Sequence, residues 1–188
     1  MKRIRAVLCG EASVGKSSIL RRFSENVFFE NSSTTIAGAF LSRFVELNHE
    51  VINLEIWDTA GSERYHSVIP SFFKNAGVVA IVYDITSRQS FENLPFWVDF
   101  AISNSPVQTP IFIVGNKADL YDRRNVTFEE AKAFSNHNHA AGFIETSAKT
   151  GEQIEGLFTL LASVPPSGQV ELQEITNVIN LEGKKNCC

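Results

Sequence analysis

Eight residues near the start of the chain, Gly10-Glu11-Ala12-Ser13-Val14-Gly15-Lys16-Ser17, have the types and spacing needed to hold a chain of phosphates. The glycines let the backbone turn tightly enough to aim several N–H groups at one anion. Lys16 brings a point charge for the β- and γ-phosphates, and the Ser17 hydroxyl is suited to ligate magnesium. A helix starting at Lys16 would add its unpaired first-turn donors and the positive end of its dipole. The whole run from Glu11 to Ser18 is therefore a candidate nucleotide cradle, with Lys16 also a candidate catalytic group.

Three other constellations can act on the same ligand. Asp58, in Trp57-Asp58-Thr59-Ala60-Gly61, ends an apolar run and is placed to hold magnesium, usually through a water. Gly61 lacks a side chain and can bring its N–H against a terminal phosphate. Asn116-Lys117-Ala118-Asp119, with Leu120 next, and Thr146-Ser147-Ala148-Lys149 each follow an apolar strand. An ionised carboxylate only accepts hydrogen bonds, so Asp119 can take both N1–H and the exocyclic amine of guanine. Adenine has no such pair of donors on that edge, which selects GTP over ATP. Lys117 would lie over the base plane, and the Ala148 N–H would meet the guanine carbonyl.

These groups work together only if the elements bearing them end on one side of a sheet. Strands are expected at Ile4 to Cys9, Ala39 to Leu47, Val51 to Trp57, Val78 to Asp84, Ile111 to Gly115 and Gly142 to Glu145, with Asn48-His49-Glu50 joining the second to the third. About five helices fall between them, at Lys16 to Glu25, Val68 to Asn75, Ser87 to Ile102, Thr127 to Asn136 and Gln153 to Ser163; Pro95 should kink or divide the third. Val27 to Thr35 reads as a loop. The alternation predicts an α/β fold in three layers: a six-stranded, mostly parallel sheet with one antiparallel edge hairpin, binding ligand at the carboxyl ends of its strands. Pro165-Pro166 ends the pattern, so residues 1–164 are expected to form one nucleotide-binding domain and 165–188 a flexible tail.

Composition narrows the setting. Of 188 residues, 44% are hydrophobic and 20% charged, the balance of an ordinary soluble domain. A net charge of −4 offers no electrostatic reason for nucleic-acid binding. No apolar run approaches the roughly 20 residues of a membrane span, and Met1 to Ala6 lacks a signal-peptide core, so the body is expected in the cytosol. Cys9 reads as a small buried apolar residue; the other two cysteines are the last two residues.

The G-x-x-x-x-G-K-S, D-T-A-G, N-K-x-D and S-A-K motifs, in this order and at these separations, resemble those of small GTPases of the Ras superfamily, with their P-loop G domain. Ile56 to Tyr65 and the ending Cys187-Cys188 are similar to the Rab family, and Ala39-Phe40, Arg64 to Ser67 and Gly115 to Leu120 to its early-endosomal subgroup. The resemblance implies a GTP/GDP switch with magnesium, acting in vesicle or membrane traffic. It implies that Thr35 binds magnesium and senses the γ-phosphate, and that Phe28 covers the guanine edge. Phe40, Trp57 and Phe72 would form the aromatic surface that reports nucleotide state to effectors. An exchange factor, a GTPase-activating protein, a GDP-dissociation inhibitor and an escort protein are implied partners of a monomeric switch. The two terminal cysteines, preceded by Lys184-Lys185, would each carry a geranylgeranyl group. Two lipids give stable anchoring where one does not, here to the cytoplasmic face of an internal membrane, endosomal or vesicular, with cycling through the cytosol.

Three residues depart from the family pattern. Ser62 stands where a glutamine orients the attacking water, and its hydroxyl is too short to take that role, so slow intrinsic hydrolysis is expected; Ser62 joins Lys16, Thr35 and Gly61 as a candidate catalytic position. Ala37 replaces a usual glycine, with Gly38 one place late, and Phe72 replaces a usual tyrosine. Ala12 and Ser13 are small, so an activating partner's arginine has room to enter. The rival readings are a P-loop ATP-dependent kinase and a GTP-bound module that does not hydrolyse.

Overall fold

Side chains alternate across a strand, so a run with no polar positions must be covered on both faces. The computed structural model describes residues 2–30, 38–59 and 69–165, and it covers the apolar strands in this way. The elements in chain order are β1 (Lys2–Cys9), α1 (Lys16–Glu25), β2 (Ala39–Leu47), β3 (Glu50–Asp58), α2 (Ile69–Phe73), β4 (Val78–Asp84), α3 (Arg88–Glu92), α4 (Leu94–Asn104) and β5 (Ile111–Asn116). A 3₁₀ segment (Ala118–Arg123), α5 (Phe128–His137), β6 (Gly142–Glu145) and α6 (Ile154–Ala162) complete it.

The strands form one six-stranded sheet in the order β2-β3-β1-β4-β5-β6. Only β2 and β3 pair antiparallel; β1 pairs parallel with both β3 and β4, and β5 parallel with both β4 and β6. Along β1 and β4, Ile4, Ala6, Leu8, Val78, Ala80 and Val82 join a core with Ile19, Phe23, Leu157 and Phe158 of α1 and α6. The alternate residues Val7, Cys9, Val79, Ile81 and Tyr83 join a second core with Phe91, Leu94, Trp97 and Ala131 from α3, α4 and α5. The expected three layers are thus observed. Phe23 stacks on Phe158 with ring centroids 3.8 Å apart, tying the helix that follows the phosphate-type loop to the last helix.

The differences from expectation are local. The described residues hold six α-helices and a 3₁₀ segment, the sixth arising because the third expected helix divides: α3 ends at Glu92, Asn93 caps both pieces, and Pro95 sits in the first turn of α4, where a missing N–H costs nothing. The β2–β3 connection is a two-residue turn, Asn48-His49, with φ of 50° and 66°, rather than three residues. Positive φ at both central positions is what a tight hairpin requires. β1 begins two residues earlier than expected because Lys2 and Arg3 pair with Ile52 and Asn53. α5 starts on a capping box in which the Thr127 hydroxyl accepts from the Glu130 N–H.

Parallel pairing puts the carboxyl ends of β1, β3, β4, β5 and β6 on one edge of the sheet. Cys9, Asp58, Asp84, Asn116 and Glu145 end these strands. The antiparallel β2 brings its first residue to the same edge, Ala39 opposite Asp58.

Candidate functional site

Gly10 and Gly15 are both in the left-handed region, at φ of 130° and 100°. A side chain at Gly10 would come within 2.1 Å of the Val82 carbonyl, and one at Gly15 within 2.3 Å of the Asn116 amide. Only glycine lets the loop lie this close to β4 and β5. The Asn116 amide uses the space to donate to the Val14 carbonyl at 2.8 Å, joining the loop to the N-K-x-D segment. Val14 itself is buried in the core.

Above this edge lies a cavity of about 540 Å³. Ala12, Ser13, Gly15, Lys16, Ser17 and Ser18 line one end. Asn116, Lys117, Asp119, Leu120, Ala148 and Lys149 line the other, with Phe28, Phe29, Glu30, Thr59 and Arg123 completing the wall. Of the expected nucleotide-binding residues that are described, Glu11, Val14 and Ser147 do not line it. The Glu11 carboxylate turns to α4 instead, accepting from the Asn93 amide at 3.1 Å and the Trp97 indole at 3.4 Å.

At the loop end, Lys16 is 6% exposed, and its ammonium donates to the carbonyls of Gly10 and Glu11 at 2.8 and 2.7 Å. Burial lowers its pKa, opposed chiefly by the charge of Asp58. Asp58 is 1% exposed; burial raises its pKa, opposed by the Ser17 hydrogen bond and by Lys16. The Ser17 hydroxyl donates to Asp58 Oδ2, whereas Oδ1 is buried without a hydrogen-bond partner. A buried carboxylate oxygen left unpaired beside a serine hydroxyl fits a magnesium site, since that ion takes one or two protein oxygens and keeps several waters. Among the described residues no group of three or more His, Cys, Asp or Glu gathers anywhere, this site included.

At the other end, the Ser147 hydroxyl donates to Asp119 Oδ1 at 2.6 Å, so Ser147 aims the carboxylate rather than lining the cavity. The Ala148 N–H lies 3.3 Å from Asn116 Oδ1. Lys117 takes the left-handed conformation, φ 68°, and its ammonium pairs with Asp84 Oδ2 at 2.6 Å. Arg22 on α1 donates to the carbonyls of Ala148 and Lys149 at 2.8 and 2.6 Å, fixing the S-A-K turn from beneath. Arg124 forks onto both oxygens of Glu145 at 2.6 and 2.8 Å, tying the 3₁₀ segment that carries Asp119 to β6. Arg22, Asp84, Arg124 and Glu145 carry no local sequence signal, because each acts across the fold.

Phe40, Trp57 and Phe72 are in contact, with centroids 4.8 Å apart for Phe40–Trp57 and 5.4 Å for Trp57–Phe72. Phe40 is 53% exposed, and the Arg5 guanidinium sits 4.5 Å from the Trp57 ring centroid. Thr35, Ala37, Gly61, Ser62, Cys187 and Cys188 lie outside the described residues.

The model of the Ras family matches residues 5–164. The chain belongs to the Ras family. This Ras-family chain is 40% identical over 177 residues to Ras-related protein Rab-4 of Dictyostelium discoideum, covering 92% of this chain and 85% of that one. It is 39% identical over 194 residues to Ras-related protein Rab-5A of the same organism, covering 99% and 95%. It is 41% identical over 165 residues to Ras-related protein RHN1 of Nicotiana plumbaginifolia, covering 88% and 82%. The expected Rab resemblance is therefore borne out: this is a small GTP-binding protein of the Rab type, a class of vesicle-transport switches whose relatives hydrolyse GTP. Among its described residues no helix is long and apolar enough to cross a membrane.

Proposed function

We propose that the chain is a slowly hydrolysing, Rab-like switch that binds GTP or GDP with magnesium and recruits effectors when GTP-bound. The observation that carries this reading is a single 540 Å³ cavity with Lys16 and Ser17 at one end and Lys117, Asp119 and Ala148 at the other. In this reading the main chain from Glu11 to Ser18 and the Lys16 ammonium hold the phosphates. Asp119, aimed by Ser147, accepts from the guanine edge; Lys117 and Phe28 bracket the base, flanked by Asn116, Leu120 and Lys149. Ser17, Asp58 and Thr35 would hold the magnesium ion, which neutralises phosphate charge when bound. Thr35 and Gly61 are tethered by the γ-phosphate and released after hydrolysis, which changes the surface around Phe40, Trp57 and Phe72.

Ser62 cannot hold an attacking water as a glutamine would, so GTP persists until an activating partner supplies the missing groups. An exchange factor reloads the protein, and a GDP-dissociation inhibitor and escort protein handle its lipid. Residues 1–164 form the nucleotide domain. Residues 165–188 form a tail whose Cys187 and Cys188 take the lipid anchor, on the cytoplasmic face of an endosomal or vesicular membrane. Single-turnover hydrolysis of bound GTP tests the central step. The unmodified chain should hydrolyse more slowly than Ser62→Gln, and a Rab-activating protein should accelerate it. Equal rates for the two chains would overturn slow turnover. No acceleration by any activating protein would favour the second reading, a GTP-dependent module that does not cycle, to which Ser62 itself points.

A further inference from the structure

Asp84 ends β4 and does not line the cavity, yet its side chain is only 9% exposed and it holds a residue that does. Its two oxygens are divided between two tasks. Oδ1 accepts from both the N–H and the hydroxyl of Thr86, at 2.8 and 2.7 Å. Oδ2 faces the Lys117 ammonium at 2.6 Å. The backbone around it is also fixed: Asp84 N–H donates to the Ser90 hydroxyl at 3.0 Å, and the next residue, Ile85, donates to the Asn116 carbonyl at 3.1 Å. The carboxylate is therefore an anchored counter-ion.

Lys117 sits at the cavity wall in a left-handed conformation that favours glycine or asparagine. Its side chain is about one-third exposed, and without a partner the four-carbon stem would sample many rotamers. Holding it flat against an arriving ligand would then cost conformational entropy at the moment of binding.

We propose that Asp84 is a positioning residue for nucleotide binding, its carboxylate holding the Lys117 ammonium so that the stem already lies along the cavity wall before a base enters. The proposal rests on the reading of the cavity as a guanine-nucleotide site. Because Lys117 pairs with Asp84 and not with Ser17 or Asp58, the effect is the same for GDP and GTP and independent of magnesium.

Asp84→Asn isolates this role. Its amide oxygen still accepts from Thr86, while its N–H group replaces the acceptor facing Lys117. Release of fluorescent GDP from the full chain, chased with unlabelled GDP, should be about tenfold faster in this variant, as expected for one newly mobile long side chain. Thr86→Val removes one bond to Asp84 but leaves the ion pair, and its release rate should match the unmodified chain. In a Lys117→Met background, Asp84→Asn should add nothing; that double variant also leaves no buried charge unpaired, so it keeps the test open if the single variant folds poorly. Release from Asp84→Asn at the unmodified rate, equal acceleration by Thr86→Val, or the same factor with Lys117 already absent would each overturn the proposal. An unmodified chain that bound no GDP would overturn the reading beneath it instead.

Discussion

The two lysines at opposite ends of the cavity are held in opposite ways. Lys16 is almost fully buried, hydrogen-bonded to two main-chain carbonyls, and its pKa is pushed down by burial. Its nearest carboxylate, Asp58, shares its charge with Ser17 and keeps one oxygen unpaired. Lys117 is partly exposed and already ion-paired with Asp84. The loop end thus keeps a buried cation and an unpaired carboxylate oxygen, whereas the lysine at the base end already has its counter-ion. This is what a nucleotide asks for: the phosphates bring charge that the loop lacks, and the neutral base needs shape and aimed acceptors.

Removing each lysine should expose this contrast, with the largest effect at the loop. Lys16→Met should weaken GDP binding by more than about 100-fold, since several charge-assisted contacts of about 1.5–3 kcal/mol each are lost. The ligand-free protein should also melt lower, because Asp58 stays buried without its opposing cation and the Gly10 and Glu11 carbonyls lose their donor. Lys117→Met should give a much milder loss of GDP affinity, with a lower ligand-free melting temperature of its own because Asp84 loses its ion pair. Calorimetry and melting of the same two variants check both halves.

Next in size is Asp119→Asn, which should cost about 2 kcal/mol of guanine-nucleotide affinity by turning an acceptor into a partial donor. Ser147→Ala should cost about 1 kcal/mol, acting only through the aim of Asp119. If Ser147→Ala still weakens binding when Asp119 is already changed, Ser147 touches the ligand itself.

Much of this was legible in the sequence, for reasons that differ by region. The strands β2, β4 and β6 and helix α1 begin and end where expected: β4 is an apolar run buried on both faces, β2 alternates as an edge strand does, and Lys16 starts the helix. The N-K-x-D and S-A-K segments converge because parallel strands put their ends on one edge. Glu11 was expected at the nucleotide, but its side chain leaves the loop for Asn93 and Trp97, contacts 82 and 86 residues away in the chain. Arg22, Asp84 and Arg124 likewise act through partners distant in sequence, which no local pattern encodes. The two-residue turn at Asn48-His49 was missed because neither residue is glycine, the usual sign of positive φ.

The effect confined to the narrowest conditions, alkaline pH alone, concerns Cys9, beneath the loop. Burial pushes its thiol up from 9.0 to about 12. A folded-state value above the unfolded one contributes stability that is complete below pH 9.0 and lost as pH rises toward 12. In a chain lacking Cys187 and Cys188, Cys9 should resist alkylation while folded, and the melting temperature should fall across that window. Cys9→Ala should flatten the fall.

The central claim is that one cavity recognises phosphates through Lys16 and guanine through Asp119. Displacement of fluorescent GDP from the full chain in the presence of magnesium tests it most directly. GDP and GTP should displace the probe at comparable concentrations, and ATP should fail at a large excess, with Asp119→Asn weakening the guanine nucleotides. Displacement by ATP as effective as by GTP, or guanine binding untouched by Asp119→Asn, would contradict it.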